Sequence, residues 1–259
     1  MRALKNLFTL VVILAVLTGG ALGAFRVARQ RPGTLEEIKP GLLAMSSAGA
    51  YLYAARAGNH VVLFDSGPDP AGHGLDAALS GLHASRADVS DLFLTHAHGD
   101  HTAAAAGLGG ARIHLGAADA PVAEGKAPPD NLFIRVVSKA MAVPTFTVTD
   151  PLNGIATIDL GGGKTVKAIP APGHTPGSYV FVYDGVLFSG DTIVVKEGRL
   201  DRGPGFLNSD SEQEKTSIAA LKSQLGDQEI TAVCAGHGGC TPVGLAHTLL
   251  EDFFSRENG

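Results

Sequence analysis

The segment Thr95-His96-Ala97-His98-Gly99-Asp100-His101 packs three imidazoles and a carboxylate into a few consecutive positions. Imidazole nitrogen and carboxylate oxygen are donors that zinc accepts in four-coordinate sites, so the segment reads as part of a metal centre. At a strand end, side chains two apart point the same way, which sets His96 and His98 to grip one ion. Asp100 and His101, where the chain turns into a helix, face a neighbouring point and a second ion. Two zinc ions need more donors than these four, and three later positions offer them. They are His174 in Pro172-Gly173-His174-Thr175-Pro176-Gly177-Ser178, Asp191 in Ser189-Gly190-Asp191-Thr192 and His237 in Ala235-Gly236-His237-Gly238-Gly239. Each stands at the end of a predicted strand, beside glycines that let the backbone turn sharply and approach closely. A cation pair sharing a water lowers its pKa, so the chemistry expected is attack of hydroxide on a carbonyl carbon, with a metal polarising the carbonyl oxygen. The other histidines (His60, His73, His83, His114 and His247) fit no ligand spacing and read as surface or satisfied core residues.

Positioning these donors requires short strands and turns. Apolar segments at Leu42–Met45, Tyr51–Ala55, His60–Phe64 and Leu92–Thr95, bounded by Gly, Pro, Asn or Ser, read as strands. A second group follows at Val143–Val148, Ile155–Leu160, Thr165–Ile169, Tyr179–Tyr183 and Val186–Ser189, with Ile230–Cys234 later. Helical spacing marks Gly74–Leu82, Ser211–Leu225 and Pro242–Phe254, and the alanine-rich Asp100–Leu108 opens with an acidic residue, as a helix start should. Strand group and helices, then strand group and helices again, predict two sheets face to face with helices outside. Leu132, Phe133, Val136, Val137 and Met141 lie between the strand groups as either an apolar lid or core.

The 259 residues carry 20 basic and 25 acidic side chains, a net charge of −5 that provides no basic field for a phosphate backbone and argues against nucleic acid. The two cysteines are too few for a disulfide framework or a four-thiolate site. They bracket His237: an oxidising compartment would permit a Cys234–Cys240 bridge, while an apolar strand end more often holds an inert thiol. Residues 7–25 form an uncharged run after Arg2 and Lys5, expected to be a signal peptide or a membrane anchor. Residues 1–25 are thus assigned to targeting, 26–40 to a connector and 41–259 to the catalytic domain, working outside the cytoplasm or attached to the membrane through residues 7–25.

The order of these motifs resembles the metallo-β-lactamase fold superfamily, and within it hydrolases similar to glyoxalase II and lactonases. The resemblance runs over Leu42–Phe254, through Asp65 in Phe64-Asp65-Ser66-Gly67, the His96/His98/Asp100/His101 cluster, His174, Asp191 and His237. It implies an α/β fold, the αββα sandwich of two mixed sheets flanked by helices. It also implies that His96, His98 and His174 bind one metal, that Asp100, His101 and His237 bind the other, and that Asp191 bridges them with Asp65 in support. Two Zn²⁺ are expected, iron or manganese being compatible with the same donors. Asp100 would orient the nucleophile, and Thr95, Asp65 and Thr175 are candidates to hold imidazoles in the needed tautomer.

The activity implied is hydrolysis of a small-molecule ester, thioester or lactone. Asp191 stands where the resembling β-lactamases carry cysteine or serine, which disfavours antibiotics as main substrates. Val195-Lys196-Glu197-Gly198-Arg199 departs from the Gly-Cys-Gly-Arg of glyoxalase II, and the short stretch after His237 lacks its helical substrate domain, which disfavours glutathione thioesters. Ile193-Val194-Val195 stands where lactonases place a tyrosine. Arg199 and Arg202, in the loop Lys196–Asp210, are candidates to reach an anionic substrate. An iron-dependent oxygenase resembling persulfide dioxygenases and a metal-binding module without turnover are the alternative readings of the same donors.

Overall fold

A computed structural model of the chain describes residues 30–257 together with positions 23, 27 and 28. The apolar run 7–25 lies almost wholly outside the described residues, among which no helix is long and apolar enough to cross a membrane.

Strand β4 (His60–Phe64) shows how the layers arise. Its residues alternate between two cores, Val62 and Phe64 facing one and Val61 and Leu63 the other, as the two-residue period of a strand requires. In sheet order β4 is the fourth of β1 (Leu35–Lys39), β2 (Leu42–Ser47), β3 (Ala50–Ala57), β4, β5 (Val89–Phe93), β6 (Arg112–Gly116) and β7 (Asp150–Leu152). The pairs from β1 to β4 are antiparallel, those from β4 to β7 parallel. The second sheet comprises β8 (Ala156–Gly161), β9 (Lys164–Pro170), β10 (Tyr179–Tyr183), β11 (Val186–Gly190) and β14 (Ala232–Ala235), antiparallel except for the parallel pair of β11 with β14. Between the sheets, Phe64 packs on Phe93, Phe181 and Phe188. Outside the first sheet lies α1 (His73–Gly81), burying Leu75 and Leu79. Two helices cover the second sheet with Ile218, Leu221, Phe253 and Phe254: α5 (Ser211–Leu225) and α6 (Ala246–Glu257). The two mixed sheets flanked by helices are the αββα sandwich expected from the motif order.

Between β5 and β7 lie three short helices, α2 (Gly99–Thr102), α3 (Ala120–Ala123) and α4 (Leu132–Met141). A small hairpin of β12 (Val194–Lys196) and β13 (Arg199–Asp201) follows β11.

Several local expectations are corrected. Val143–Val148 is no strand: Phe146 N donates to Ala123 O and Val148 N to Glu124 Oε1, so α3 and its end take the bonds a ladder would need. Asp100–Leu108 is no continuous helix, because after one turn Ala103 N donates to Gly67 O and an alanine run buried in the core continues as a 3₁₀ turn. Leu35–Lys39, read as connector, pairs with β2, and β6 was missed altogether. Strand β5 stops at Phe93, so the pleat does not place His96 and His98.

The ends of β5, β11 and β14 and the turn from β9 to β10 meet at one edge, where Tyr179 N donates to Thr95 O across the sheets. Close approach makes this edge sensitive to bulk: a Cβ on Gly116 would collide with the Gly177 carbonyl. Gly116→Ala is therefore expected to destabilise the fold by about 2–3 kcal/mol, the upper part of the overpacking range, read as a lowered urea midpoint. An unchanged midpoint would contradict the packing described.

Candidate metal centre

Seven donors from the four loops converge. The loop after β5 carries His96 and His98 and runs into α2 with Asp100 and His101; the β9–β10 turn carries His174; the ends of β11 and β14 carry Asp191 and His237. Ligand atoms of His96, His98 and His174 lie within 4.8 Å of one another, as do those of Asp100, His101 and His237, and those of His96, His101 and Asp191. Asp191 stands between the first two groups: Oδ1 is 3.4 Å from His101 Nε2, and Oδ2 is 3.5 Å from His174 Nε2 and 3.4 Å from His237 Nε2. Asp100 Oδ2 lies 3.3 Å from His237 Nε2 and 3.5 Å from His101 Nε2.

The far side of each ring shows which nitrogen is offered. His101 Nδ1 donates to Asp65 Oδ2 at 2.8 Å, and His237 Nδ1 to Gly49 O at 2.8 Å. His96 Nδ1 donates to Thr95 Oγ1, which itself donates to Asp65. These bonds leave Nε2 facing the cluster, while His98 presents Nδ1, 3.0 Å from His174 Nε2. Asp65 reaches this position with a positive φ of 58°, a strained conformation held because its carboxylate also receives Thr95 N.

The residues fit a metal. Buried polar atoms nearly always find a hydrogen bond, yet among the described residues His96 Nε2, His101 Nε2 and Asp191 Oδ1 make none, the last two facing each other only at ion-pair distance. Gly236 leaves room there, since a Cβ would strike Asp191 Oδ1 and the His101 ring. Imidazole and carboxylate together suit zinc.

Electrostatics sharpen the picture. Burial and the neighbouring rings hold His96 well below the usual histidine range, and burial with His174 takes His98 down to about 3. Burial opposes charge on His101 and His237 as well, but Asp191, Asp100 and Asp65 raise His101 well above its usual value, and hydrogen bonds to Asp100 and Asp191 raise His237 to about 10. Against burial, those cationic rings hold Asp100 and Asp191 low.

Thr175 does not hold an imidazole: its hydroxyl donates to Asp119 Oδ2. The partner of His174 Nδ1 is Asn208 Oδ1 at 2.9 Å, and Asn208 Nδ2 in turn donates to Glu214 Oε2. Asp119 also receives Ala97 N and Gly177 N, tying the His98 loop to the His174 turn. Asn208, Glu214 and Asp119 carry no motif in the sequence; only burial marks them. The Cys234 thiol is not free but bridges Cys240 around the His237 loop, because an isolated bridge pairs the two residues and sets their Cα atoms 4.1 Å apart. Of the remaining histidines, buried His114 is paired with Asp91 and His73 with Asp69.

Beside Asp191 and His237 opens a cleft of 510 Å³, walled by Val194, Val195, Pro204 and Leu207. Arg202 lines it but pairs with Glu257 at 2.7 Å, whereas Lys196 lines it with no ion pair among the described residues; Arg199 is not among the lining residues.

Residues 48–237 match the family model described as the metallo-beta-lactamase superfamily. Two similar proteins are hydroxyacylglutathione hydrolases: that of Halorhodospira halophila, 28% identical over 73% of this chain and 62% of its own length, and that of Anaeromyxobacter dehalogenans, 31% identical over 55% and 46%. The chain thus spans less than two thirds of either. Among solved structures, the subclass B3 metallo-β-lactamase BJP-1 of Bradyrhizobium japonicum superposes with a TM-score of 0.62 at 21% identity, covering 89% of this chain and 97% of that one. The class B3 di-zinc enzyme LRA-12 from an Alaskan soil metagenome gives 0.67 at 17% identity, covering 89% and 94%. At such identity these likenesses concern the fold.

Asn208→Ala is expected to weaken zinc binding about 10- to 100-fold, the usual effect of losing the group behind a ligand imidazole, as read by chelator competition. Because a cation must displace protons from His101 and His237, its affinity should fall as pH is lowered, about tenfold per unit for each proton released. Calorimetry in buffers of differing ionisation enthalpy counts those protons; an affinity flat with pH would contradict the proton-bearing rings.

Proposed function

The chain belongs to the metallo-β-lactamase superfamily, and from that membership and its own donor set we propose that it is a binuclear zinc hydrolase of a small ester, thioester or lactone. The observation that carries the proposal is the set of buried donor atoms on His96, His101 and Asp191 that make no hydrogen bond among the described residues, at the meeting point of two imidazole groups. His96, His98 and His174 would hold one ion, Asp100, His101 and His237 the other, with Asp191 shared. Such a pair, when bound, supplies a nucleophile from water at neutral pH and positive charge where a carbonyl oxygen becomes anionic.

The remaining work falls to the side chains. Asp100 turns Oδ2 toward His101 and His237 and is more exposed than either Asp191 or His101, so its other oxygen can receive the proton of the attacking water. That proton then passes to the departing alcohol or thiol oxygen or sulfur, which balances the cleavage. Asp65, Thr95 and Asn208 keep the rings aligned while this happens, and Val194, Val195, Pro204 and Leu207 give the cleft an apolar side against which a substrate can rest. The hydroxyacylglutathione hydrolases to which the chain is similar support carbonyl hydrolysis as the class. We further propose that the protein acts outside the cytoplasm or at the membrane; the uncharged run 7–25 and the Cys234–Cys240 bridge support this.

Asp100→Ala is expected to lower turnover of aryl ester, thioester and lactone substrates by about 10²- to 10⁴-fold while the urea midpoint stays close to the parent value. Unchanged turnover would remove Asp100 from its role. Near-stoichiometric iron in protein purified without added metal, with oxygen consumed on a persulfide, would overturn the hydrolase assignment.

A further inference from the structure

Four large apolar side chains stand in water at one place beside the cleft: Leu132 is 74% exposed, Phe133 54%, Val136 65% and Phe206 69%. They belong to two segments that are stitched together. Asn131 caps α4 by accepting Phe133 N and Ile134 N, and its Nδ2 donates to Phe206 O and Asn208 O; the Phe133 and Phe206 rings meet edge to face at 6.0 Å. The other face of α4 is accounted for, since Ile134 and Met141 are buried.

The patch joins two openings that reach the donors. Pro204 and Leu207, on either side of Phe206, line the cleft with Asp191 and His237. Pro129 and Asp130, just before Asn131, line a smaller cavity of 120 Å³ that includes His98. Asn208, bonded to Asn131 through its carbonyl, holds His174 through its side chain. The exposed groups therefore adjoin the Pro204 and Leu207 side of that cleft, whose other lining residues include Lys196, Asp201 and Arg202. Its extent argues against a protein partner, because a stable protein interface covers roughly 800 Å² on each side with about 20–30 residues, and four side chains provide a fraction of that. A few exposed apolar groups beside a cleft match a flexible aliphatic chain.

We propose that Leu132, Phe133, Val136 and Phe206 form an acyl-chain subsite, and that the substrate class is an ester, thioester or lactone whose acyl group carries a medium to long aliphatic chain. The inference rests on the hydrolase reading for the reacting bond but not for the binding it predicts. Each methylene that leaves water for a fully apolar site strengthens binding about fourfold, and a half-open rim should give about twofold.

The test uses the zinc-loaded full chain and a series of product-like carboxylates, acetate, hexanoate, decanoate and laurate, held below micelle formation and titrated by calorimetry. Affinity is expected to climb by about twofold per methylene, and the double variant Phe133→Ser/Phe206→Ser should flatten the climb while leaving acetate binding unchanged. Ile155→Ser, which removes an equally exposed apolar group elsewhere, should keep it. These positions are exposed, so folding is not at stake. A flat series in the parent, or a climb that the double variant retains, overturns the subsite. So does a double variant that retains the climb but disperses a dimer in sedimentation or no longer binds phosphatidylglycerol vesicles, which assigns the patch to a second copy or a bilayer. Failure to hydrolyse any ester while the climb is present sinks the reaction and leaves the subsite standing.

Discussion

Buried carboxylates pressed against buried imidazoles are the constraint around which this chain is organised. Asp65 and Asp191 are almost fully enclosed, as are His96, His101 and His174, and none of them is tolerable in a low-dielectric interior unless its charge or its lone pair is answered. The answer comes in two layers. Outside, Asp65, Thr95, Asn208 and the Gly49 carbonyl each take one ring nitrogen; inside, the other nitrogens are turned to a common space that Asp100 and Asp191 make negative. That negative charge favours protonation of His101 and His237, and a divalent cation would compete with those protons for the same place.

Four loops must reach that space together, which explains the backbone around them. The edge where β5, β11 and β14 end and β10 begins is drawn tight by Tyr179 N to Thr95 O and by Gly236 N to Gly190 O at 2.7 Å. Asp119 binds the His98 loop to the His174 turn, and the Cys234–Cys240 bridge closes the loop that presents His237. Glycine stands where a side chain would fill the ion space or part the loops, at Gly236 and Gly116. The sandwich serves as a rigid frame, with its chemistry confined to one rim.

That rim is asymmetric. Polar ligands face inward, whereas α4 and the turn around Phe206 set apolar groups outside, and Asn131 links the two by serving as helix cap and as tie to the segment that holds His174. A single asparagine thus couples the position of an exposed helix to the metal centre. Of the two basic side chains that line the cleft, Arg202 is engaged with Glu257, which leaves the charge of Lys196 facing the opening without an ion pair among the described residues.

The spacing of His96, His98, Asp100 and His101, and the glycine-flanked His174, Asp191 and His237, were legible in the chain because a metal centre needs particular donor atoms and turns need glycine. Short apolar runs bounded by turn residues likewise disclosed most strands of both sheets, and the fifteen residues of α5 appeared at their full length. Other features depended on partners distant in sequence. Thr175 was misread for Asn208 because a hydrogen-bond acceptor is chosen by proximity in space, and Asn208 lies 34 residues from His174. Val143–Val148 looks like a strand but bonds to α3, and the alanines after Asp100 look like a helix but are claimed by the core and by Gly67. Residue type therefore determined which atoms can bind a cation. Folding decided which of them meet and what stands behind each ring, because hydrogen bonding and burial act over a few ångströms and pay no regard to separation along the chain.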